Sequence, residues 1–317
     1  MRLLRGDGPL IRVGHRGAAL LAPANTLRSF EAALVHGVDA IEFDVVDPGS
    51  GPLMVAHSTA ELVAENPTLD EGLAFLAERD VGLHVDLKLT TRLDEIADAL
   101  ARHGLATRTV VCSSHLPSLR ALAASAPDLR LGFTYPEDRY GVSKRRVFQP
   151  AIRAGTLAVR RTIGRRVPRM IERAGARALM LHHAVVSAPA VQRAHSAGAA
   201  VWVWTVDDPA ELARVDAAGV DAVITNDPSL FGALATQQIF DGGLYMALFG
   251  IGTIPLMSGV SYLSGIITIP IRNRIQKVIP VAMVCVGVLF IARGLSLDTH
   301  YSPGALDLFV QAMPNCR

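Results

Sequence analysis

The stretch Ile41-Glu42-Phe43-Asp44-Val45 alternates apolar and acidic residues at every position. Side chains two apart on a β-strand point to the same face, so this pattern predicts a strand with one apolar and one acidic face. The stretch His84-Val85-Asp86-Leu87-Lys88-Leu89 repeats the arrangement, with the ionisable residues again on one face. Both strands are expected to pack their apolar faces under helices and to direct their ionisable faces into one shared interior.

Short apolar runs alternate with helical patterns between residues 10 and 230. The candidate strands are Ile11–Gly14, Ala40–Val46, Leu53–Ala56, Gly82–Leu89, Thr109–Ser113, Arg130–Tyr135, Ala178–His182, Ala200–Val206 and Ala222–Thr225. The candidate helices are Thr26–His36, Leu69–Arg79, Leu93–His103, Leu116–Ala124, Ala188–Ala197 and Pro209–Ala218. Repeated strand–helix units predict an α/β fold with a parallel sheet, and about eight units in about 220 residues fit a (β/α)₈ TIM barrel. A doubly wound open sheet is the alternative, although no Gly-x-Gly-x-x-Gly follows the first strand.

The bulk composition points to no particular partner. The chain has 317 residues and a net charge of +2, which is too small to indicate one. Cys112, Cys285 and Cys316 match neither a metal-binding spacing nor a disulfide framework, and Cys112 is expected to be a buried thiol. The N-terminal segment 1–9 has no apolar core of the length that a secretory signal needs, so export by that route is not expected.

A basic segment runs from Gly141 to Arg177, where the fifth helix of the barrel is expected. It contains eleven Lys or Arg residues against one acid, Glu172. One interpretation is a solvated amphipathic helix whose arginine stems cover apolar surface. The other is a patch that attracts an anionic membrane or a phosphate-bearing substrate. No nucleic-acid partner is expected, because aromatic residues are not interleaved with the basic ones.

The composition changes after Thr236, which predicts a barrel domain at 1–236 and a second region at 237–317. Leu244 to Ile271 contains no charged residue in 28 positions, and Val278 to Ala292 contains none in 15. The first is long enough to span a bilayer, so a transmembrane helical hairpin and membrane association are predicted for 244–292. A hydrophobic soluble dimerisation hairpin is the alternative. The positive-inside rule places the basic loop between the two segments in the cytoplasm. If both segments span the membrane, the barrel would then lie outside the cytoplasm. The absence of a secretory signal in segment 1–9 favours a cytoplasmic catalytic domain instead.

Seven ionisable side chains lie where the predicted strands end or face inward. His15 and Arg16 follow the first strand in Val13-Gly14-His15-Arg16-Gly17, and His57 follows the third candidate strand. The other four, on the two alternating strands, are Glu42, Asp44, Asp86 and Lys88. Carboxylates are hard oxygen ligands for Mg²⁺ or Ca²⁺, two cations neutralise a phosphodiester, and two histidines move protons as base and acid. The set therefore indicates metal-assisted phosphodiester chemistry, with a closed salt-bridge network as the alternative.

These motifs resemble the glycerophosphodiester phosphodiesterase family. The resemblance is carried by Gly14-His15-Arg16-Gly17, Pro23-Ala24-Asn25-Thr26, Glu42-Phe43-Asp44, His57, Asp86-Leu87-Lys88, the segment 203–209 with Trp204 and the segment 219–228. It implies a TIM barrel that uses a divalent metal, Mg²⁺ or Ca²⁺, to cleave glycerophosphodiesters into glycerol 3-phosphate and an alcohol. The implied catalytic residues are His15 and His57, and the implied metal ligands are Glu42, Asp44 and Asp86. The implied substrate-binding residues are Arg16, Lys88, Asn25 and Trp204.

The sequence departs from the family pattern at three positions. Ala24 stands where the family has Glu, Ser58 follows His57 where Asp is usual, and Asp86 replaces Glu. These departures leave two further hypotheses open: a lysophospholipase D-type hydrolase acting at a membrane, and a barrel that binds phosphodiesters without cleaving them. The enzyme interpretations require the three carboxylates to converge to within about 5 Å, the spread of a metal shell. Residues 240–317 resemble the last two helices of sulfite exporter-like membrane proteins.

Overall fold

The computed structural model describes residues 1–136 and 149–232. The chain divides into two units, Met1–Thr236 and Gln237–Arg317, and every described residue belongs to the first. The predicted hairpin at 244–292 lies outside the described residues. Within 1–136 and 149–232, no helix combines the length and the apolar character needed to cross a membrane.

The described part of the chain forms a closed barrel of eight parallel strands surrounded by helices. The strands are β1 (Ile11–Gly14), β2 (Ala40–Val46), β3 (Met54–Val55), β4 (Gly82–Leu87), β5 (Thr109–Ser113), β6 (Arg130–Tyr135), β7 (Ala178–His182), β8 (Ala200–Trp204) and β9 (Ala222–Thr225). The helices are α1 (Leu27–Val35), α2 (Leu69–Ala77), α3 (Leu93–Arg102), α4 (Leu116–Ser125), α5 (Gln149–Thr162), α6 (Val167–Ala174), α7 (Ala188–Ser196) and α8 (Pro209–Ala217). β1 pairs in parallel with both β2 and β9, and this double pairing closes the barrel. The TIM-barrel prediction is confirmed.

The strand β3 lies outside the barrel. It pairs antiparallel with the end of β2, with Val45 opposite Val55 and Val46 opposite Met54. The candidate strand Leu53–Ala56 is therefore shorter than expected and is not one of the parallel set. Because β3 turns the chain back along β2, it brings the residues that follow it, beginning with His57, to the end of that strand.

Two apolar layers hold the strands in place. Ile41, Phe43 and Val45 are fully buried between β2 and the outer helices, as the alternation predicts. The opposite faces of the strands line the barrel interior, where Cys112, Met180 and Trp202 pack together and the thiol of Cys112 is free. Gly132 faces the same interior. A Cβ at that position would lie 2.5 Å from Cys112 Sγ, so a larger residue would not fit without displacing its neighbours.

The basic segment forms two helices in place of one. α5 is followed by a 3₁₀ turn, Ile163–Arg165, and then by α6, whose Val167, Ile171 and Ala174 are buried. The buried stripe on α6 agrees with the amphipathic interpretation. α5 contacts the turn His183–Val185, which follows the C-terminal end of β7. The C-terminal ends of the eight barrel strands, called the mouth below, are where barrel enzymes carry their active sites.

Candidate functional site

The loop that follows β1 is fixed by backbone contacts on both sides. The His15 N–H donates to the Thr225 carbonyl at 2.7 Å, and the Gly17 N–H donates to the Glu42 carbonyl at 3.1 Å. Arg16 and Gly17 have φ values of 49° and 84°, in the left-handed region. At Gly17 a Cβ would lie 2.4 Å from Ser29 Oγ, so the turn requires glycine. This geometry places the side chains of His15 and Arg16 at the mouth.

Three carboxylates converge beside this loop. One oxygen from each of Glu42, Asp44 and Asp86 lies within 4.8 Å of the other two, which meets the criterion set from the sequence. Asp44 and Asp86 are direct partners in the register of β2 and β4. Glu42 and Asp44 are only 3% and 1% exposed. Adjacent parallel strands with acids on the inward face thus bring hard oxygen ligands into one small volume.

Two cations neutralise part of this cluster. Lys88 Nζ lies 3.1 Å from Asp44 Oδ1 and 2.6 Å from Asp86 Oδ2. Arg16 Nε lies 3.0 Å from Asp44 Oδ2, but it is not aligned for a hydrogen bond and has no other hydrogen-bond acceptor among the described residues. Burial alone would raise the pKa of Asp44, but the hydrogen bond from His57 and the charges of Lys88 and Arg16 outweigh it and lower that pKa. Asp44 is therefore the ionised centre of the cluster.

Burial and neighbouring charge oppose ionisation of the other two acids. Burial, followed by repulsion from Asp44 and Asp86, raises the pKa of Glu42 well above its usual range. Burial also raises the pKa of Asp86, against the opposing charge of Lys88. The Glu42 carboxylate accepts one hydrogen bond, from the Arg16 N–H at 2.7 Å. A divalent cation would relieve this repulsion, so the donor set fits Mg²⁺ or Ca²⁺ and the alternative of a closed salt-bridge network is only partly realised.

His15 is oriented by the residue that follows β9, the last strand of the barrel. Its Nδ1 lies 2.6 Å from Asn226 Oδ1. Asn226 donates its backbone N–H and its Nδ2 to Asp207, at 2.8 and 2.7 Å, so its Oδ1 must act as an acceptor. This network assigns the proton to Nδ1 of His15 and leaves the lone pair of Nε2 pointing towards Glu42 Oε2, 3.8 Å away. Burial, reinforced by Arg16, lowers the pKa of His15 to about 4, so the ring is neutral at pH 7.

His57 is held in a similar way by the opposite side of the cluster. Its Nδ1 lies 3.2 Å from Asp44 Oδ2, which leaves Nε2 free, and its side chain is 37% exposed. Each of the two histidines predicted to be catalytic thus has Nδ1 bound to an oxygen of the scaffold. Because His15 approaches Glu42 and His57 approaches Asp44, the structure brings both rings to the same carboxylate cluster.

Asn25 supports Asp44. The Asn25 side chain donates to Asp44 Oδ2 at 3.0 Å and accepts from the Asp44 N–H at 3.2 Å. Asn66 in turn donates to the Asn25 carbonyl at 3.0 Å. The side chain of Asn25 is buried, and α1 begins directly after it with a capping box formed by Thr26 and Ser29. These contacts make Asn25 a positioning residue, and its substrate-binding role stays a prediction.

Trp204 lies on the opposite side of the mouth, among residues of lower charge. It is paired in register with His182, and the two rings meet edge to face at 5.0 Å. Among the described residues, the buried Trp204 Nε1 and Thr134 Oγ1 have no hydrogen-bond partner. Burial, followed by the charge of His183, lowers the pKa of His182 to about 4. This side of the mouth therefore carries a neutral aromatic pair, which suits an uncharged part of a ligand.

Four residues near the site were missed as site residues by sequence reasoning. Asn226 lies in the last motif of the resemblance but carried no predicted role. His182 ends the predicted strand Ala178–His182 and carried no predicted role either. Glu61 brings a carboxylate to 4.0 Å from Arg16 Nη1. His84 was placed on the inward face, where both its ring nitrogens lack partners among the described residues and its ring meets Trp202 edge to face at 5.7 Å. No pattern local to any of these four indicated its contact.

The C-terminal region matches a second family. The transmembrane region of cytochrome c biogenesis proteins matches residues 228–289. A resemblance to an integral membrane protein was expected there, with sulfite exporter-like proteins as the named group. The match begins three positions after the end of β9 at Thr225 and includes most of the predicted hairpin.

The barrel is similar to named phosphodiesterases. A glycerophosphodiester phosphodiesterase of Arabidopsis thaliana is 27% identical over 252 residues, covering 71% of this chain and 73% of the relative. One of Caldanaerobacter subterraneus subsp. tengcongensis is 23% identical, covering 68% and 93% of the two chains.

Solved structures show the same fold. A glycerophosphoryl diester phosphodiesterase structure from Agrobacterium tumefaciens has a TM-score of 0.59 at 17% identity, covering 74% of this chain and 100% of its own. An Oleispira antarctica phosphodiesterase in complex with its product sn-glycerol-3-phosphate has a TM-score of 0.55 at 20% identity, covering 72% and 97%. The model of the glycerophosphoryl diester phosphodiesterase family matches residues 15–71 and 75–230, which is more than half of the chain. The chain belongs to the glycerophosphoryl diester phosphodiesterase family.

Proposed function

We propose that this chain hydrolyses glycerophosphodiesters to glycerol 3-phosphate and an alcohol with the help of a divalent cation. The observation that carries the proposal is the convergence of Glu42, Asp44 and Asp86 within 4.8 Å between two histidines whose Nδ1 atoms are each bound to the scaffold. The bound sn-glycerol-3-phosphate in the Oleispira antarctica neighbour supports this class of product. The proposed metal ligands are the three carboxylates.

The side chains of the site divide the reaction between them. His15, neutral and with a free Nε2, takes a proton from the attacking water as the new P–O bond forms. The P–O bond to the alcohol then breaks, and the departing oxygen takes a proton from Nε2 of His57, which enters the step protonated on both nitrogens and keeps its Nδ1–H on Asp44. Water and diester thus become monoester and alcohol, with one proton removed and one supplied.

Arg16 and Lys88 hold the anionic phosphoryl group. The unused Nε–H of Arg16 and the Nζ of Lys88 both lie against Asp44, at the centre of the cluster. Burial alone would lower the pKa of Lys88, but Asp86 and Asp44 outweigh it and raise that pKa, so Lys88 is charged at pH 7. When bound, the dication neutralises further charge on the phosphoryl oxygens.

The test uses the purified full chain and glycerophosphocholine. Release of glycerol 3-phosphate is expected, with loss on chelation and recovery on adding Mg²⁺ or Ca²⁺. His15→Ala and His57→Ala are each expected to lower kcat by about 10²- to 10⁴-fold, the usual contribution of a positioned acid or base. His36→Ala is the matched control, because His36 is exposed at the end of α1. Turnover that survives both catalytic substitutions would rule out these roles, and binding without turnover would favour the non-catalytic barrel.

A second candidate substrate is lysophospholipid at a membrane. The match of residues 228–289 to a transmembrane family favours it, because such a segment would keep the barrel close to lipid. In this case the chain is membrane-associated, and turnover of lysophospholipid in vesicles exceeds turnover of water-soluble diesters at equal concentration. Equal rates with and without vesicles would argue for the soluble substrate.

A further inference from the structure

Four arginines surround a cleft on the flank of the barrel. Arg160, Arg161 and Arg165 come from the end of α5 and the turn after it, and Arg193 comes from α7. The cleft has a volume of about 440 Å³. Within residues 1–136 and 149–232, no ion pair joins any of the four guanidinium groups to a carboxylate. We call these four residues the arginine cleft.

The arginine cleft borders the mouth. Its rim includes Ser187 and Pro189 at the start of α7, and α7 starts at the mouth because the helices run antiparallel to the strands. α5 also contacts the turn His183–Val185, which directly follows the C-terminal end of β7. A flat anionic surface that faces the mouth would therefore lie within reach of the arginine cleft.

Exposed leucines accompany the arginines at this end of the barrel. Leu20 and Leu21, in the loop after β1, are 65% and 45% exposed, and Leu157 in the wall of the cleft is 48% exposed. Val63 is also exposed near the mouth, but Glu61 and Glu65 flank it and would oppose an anionic surface.

The combination fits one kind of partner. Large apolar side chains that point into water next to uncompensated arginines are typical of surfaces that rest in the headgroup region of a bilayer, where guanidinium groups meet lipid phosphates. The match of residues 228–289 to a transmembrane family is a second observation that points to lipid. Charge complementarity and this match both favour an anionic lipid surface over a protein partner.

We propose that Leu20, Leu21, Leu157 and the arginine cleft form a docking surface for an anionic bilayer, with the mouth turned towards the lipid headgroups. The docking surface rests on the proposed function in one respect, since it assumes that the mouth is the active site. It predicts that the substrate reaches the site from the membrane side.

The test measures which end of the barrel touches lipid. The full chain is reconstituted in vesicles of phosphatidylcholine, with or without phosphatidylglycerol, that contain lipids brominated on the acyl chain. Tryptophan fluorescence is compared for Leu20→Trp, Leu157→Trp and the matched control Val35→Trp, which lies at the opposite end of the barrel and is 79% exposed in the parent. Quenching of the parent chain, which has its own two tryptophans, is subtracted.

We expect quenching to be at least twofold stronger for Leu20→Trp and Leu157→Trp than for Val35→Trp. This difference should occur only in vesicles that contain phosphatidylglycerol. Adding Arg160→Glu and Arg193→Glu should abolish the difference. The pair Arg173→Glu and Arg177→Glu makes the same change of charge at the other end of α6 and should preserve it. Melting temperatures confirm that each variant is folded. Equal quenching at the two ends of the barrel, or quenching that does not depend on phosphatidylglycerol, would overturn the proposal. The fluorescence experiment requires no hydrolysis, so a failure of the proposed function would be seen separately, in the activity assay.

Discussion

Replacing Asn226 with alanine tests whether the orientation of His15 matters for catalysis. Asn226 Oδ1 is the acceptor for Nδ1 of His15 at 2.6 Å, and Asn226 is itself held by Asp207. Asn226→Ala leaves the Nδ1–H of a largely buried ring without an acceptor, which costs about 1–3 kcal/mol. If the same orientation of His15 is needed in the transition state, this cost in free energy corresponds to a decrease in kcat of about 5- to 150-fold.

The assay follows kcat and KM across pH with a soluble glycerophosphodiester. KM should change little, because Asn226 is placed behind His15 and not against the phosphate. The bond to Asn226 raises the pKa of His15 against the larger effect of burial, so its loss lowers that pKa further. In the plot of kcat against pH, the acid limb, where kcat falls as the pH decreases, should therefore move to lower pH. The maximum value of kcat, its plateau, should fall as well. A merely structural role would lower the plateau without moving the limb.

A control in the same loop separates this effect from general loosening. Ser229 donates to Asp227 at 2.6 Å and does not contact His15, so Ser229→Ala should retain kcat within about twofold, as surface substitutions usually do. The reasoning is refuted if Asn226→Ala also retains kcat within about twofold and its acid limb does not move.

Three further predictions concern metal binding, substrate binding and acid stability. A dication at about 100 times its Kd should raise the free energy of unfolding of the parent by about 2.7 kcal/mol, which is measured as an increase in melting temperature. Glu42→Gln should remove most of that increase. An equal increase in both proteins would exclude Glu42 as a ligand. Trp204→Phe keeps an aromatic six-membered ring but removes the pyrrole ring with its Nε1–H, which has no partner among the described residues. KM should then rise about fivefold, the equivalent of one hydrogen bond, and an unchanged KM would remove Trp204 from the substrate site. Hydrogen bonds from Arg214 and His183 lower the pKa of Glu211 to about 2, so its contribution to stability is present above pH 4.5 and is lost as the pH falls towards 2. Urea unfolding should show Glu211→Gln less stable than the parent at pH 6, with a difference that shrinks by pH 3; the effect is small because the carboxylate is 38% exposed.

The parts of the fold and site that depend on period-two alternation were predictable from the sequence. Ile41, Phe43 and Val45 had to share a face, and burying that face left Glu42 and Asp44 in the interior with Asp86 from the neighbouring strand. Strand direction is not encoded in such a pattern. A short apolar run such as Leu53–Ala56 fits a parallel or an antiparallel neighbour equally well, and only the turn before it decides.

The supporting contacts were not predictable because they join distant parts of the chain. The bond between His15 and Asn226 spans 211 positions, and no local pattern indicates which side chain will orient a catalytic residue. Asn25 was quoted for its motif, yet its contact with Asp44 depends on a left-handed φ of 58° that the sequence does not reveal. The two interpretations of the basic segment stayed open because α6 buries one face while Arg160 and Arg161 of α5 form no ion pair with any carboxylate of the described residues, and composition does not separate these helices.

The pairing of β1 with β9 has a consequence for biosynthesis. This pairing joins Ile11–Gly14 to Ala222–Thr225, and the same joint carries both contacts that hold His15, from Thr225 and from Asn226. A nascent chain that has not yet emerged past Asn226 already contains the carboxylates of β2 and β4 but lacks the residue that binds Nδ1 of its first histidine. The proposed role of His15 therefore requires the two ends of the barrel to meet, and we expect a chain cut short before Thr225 to lack it.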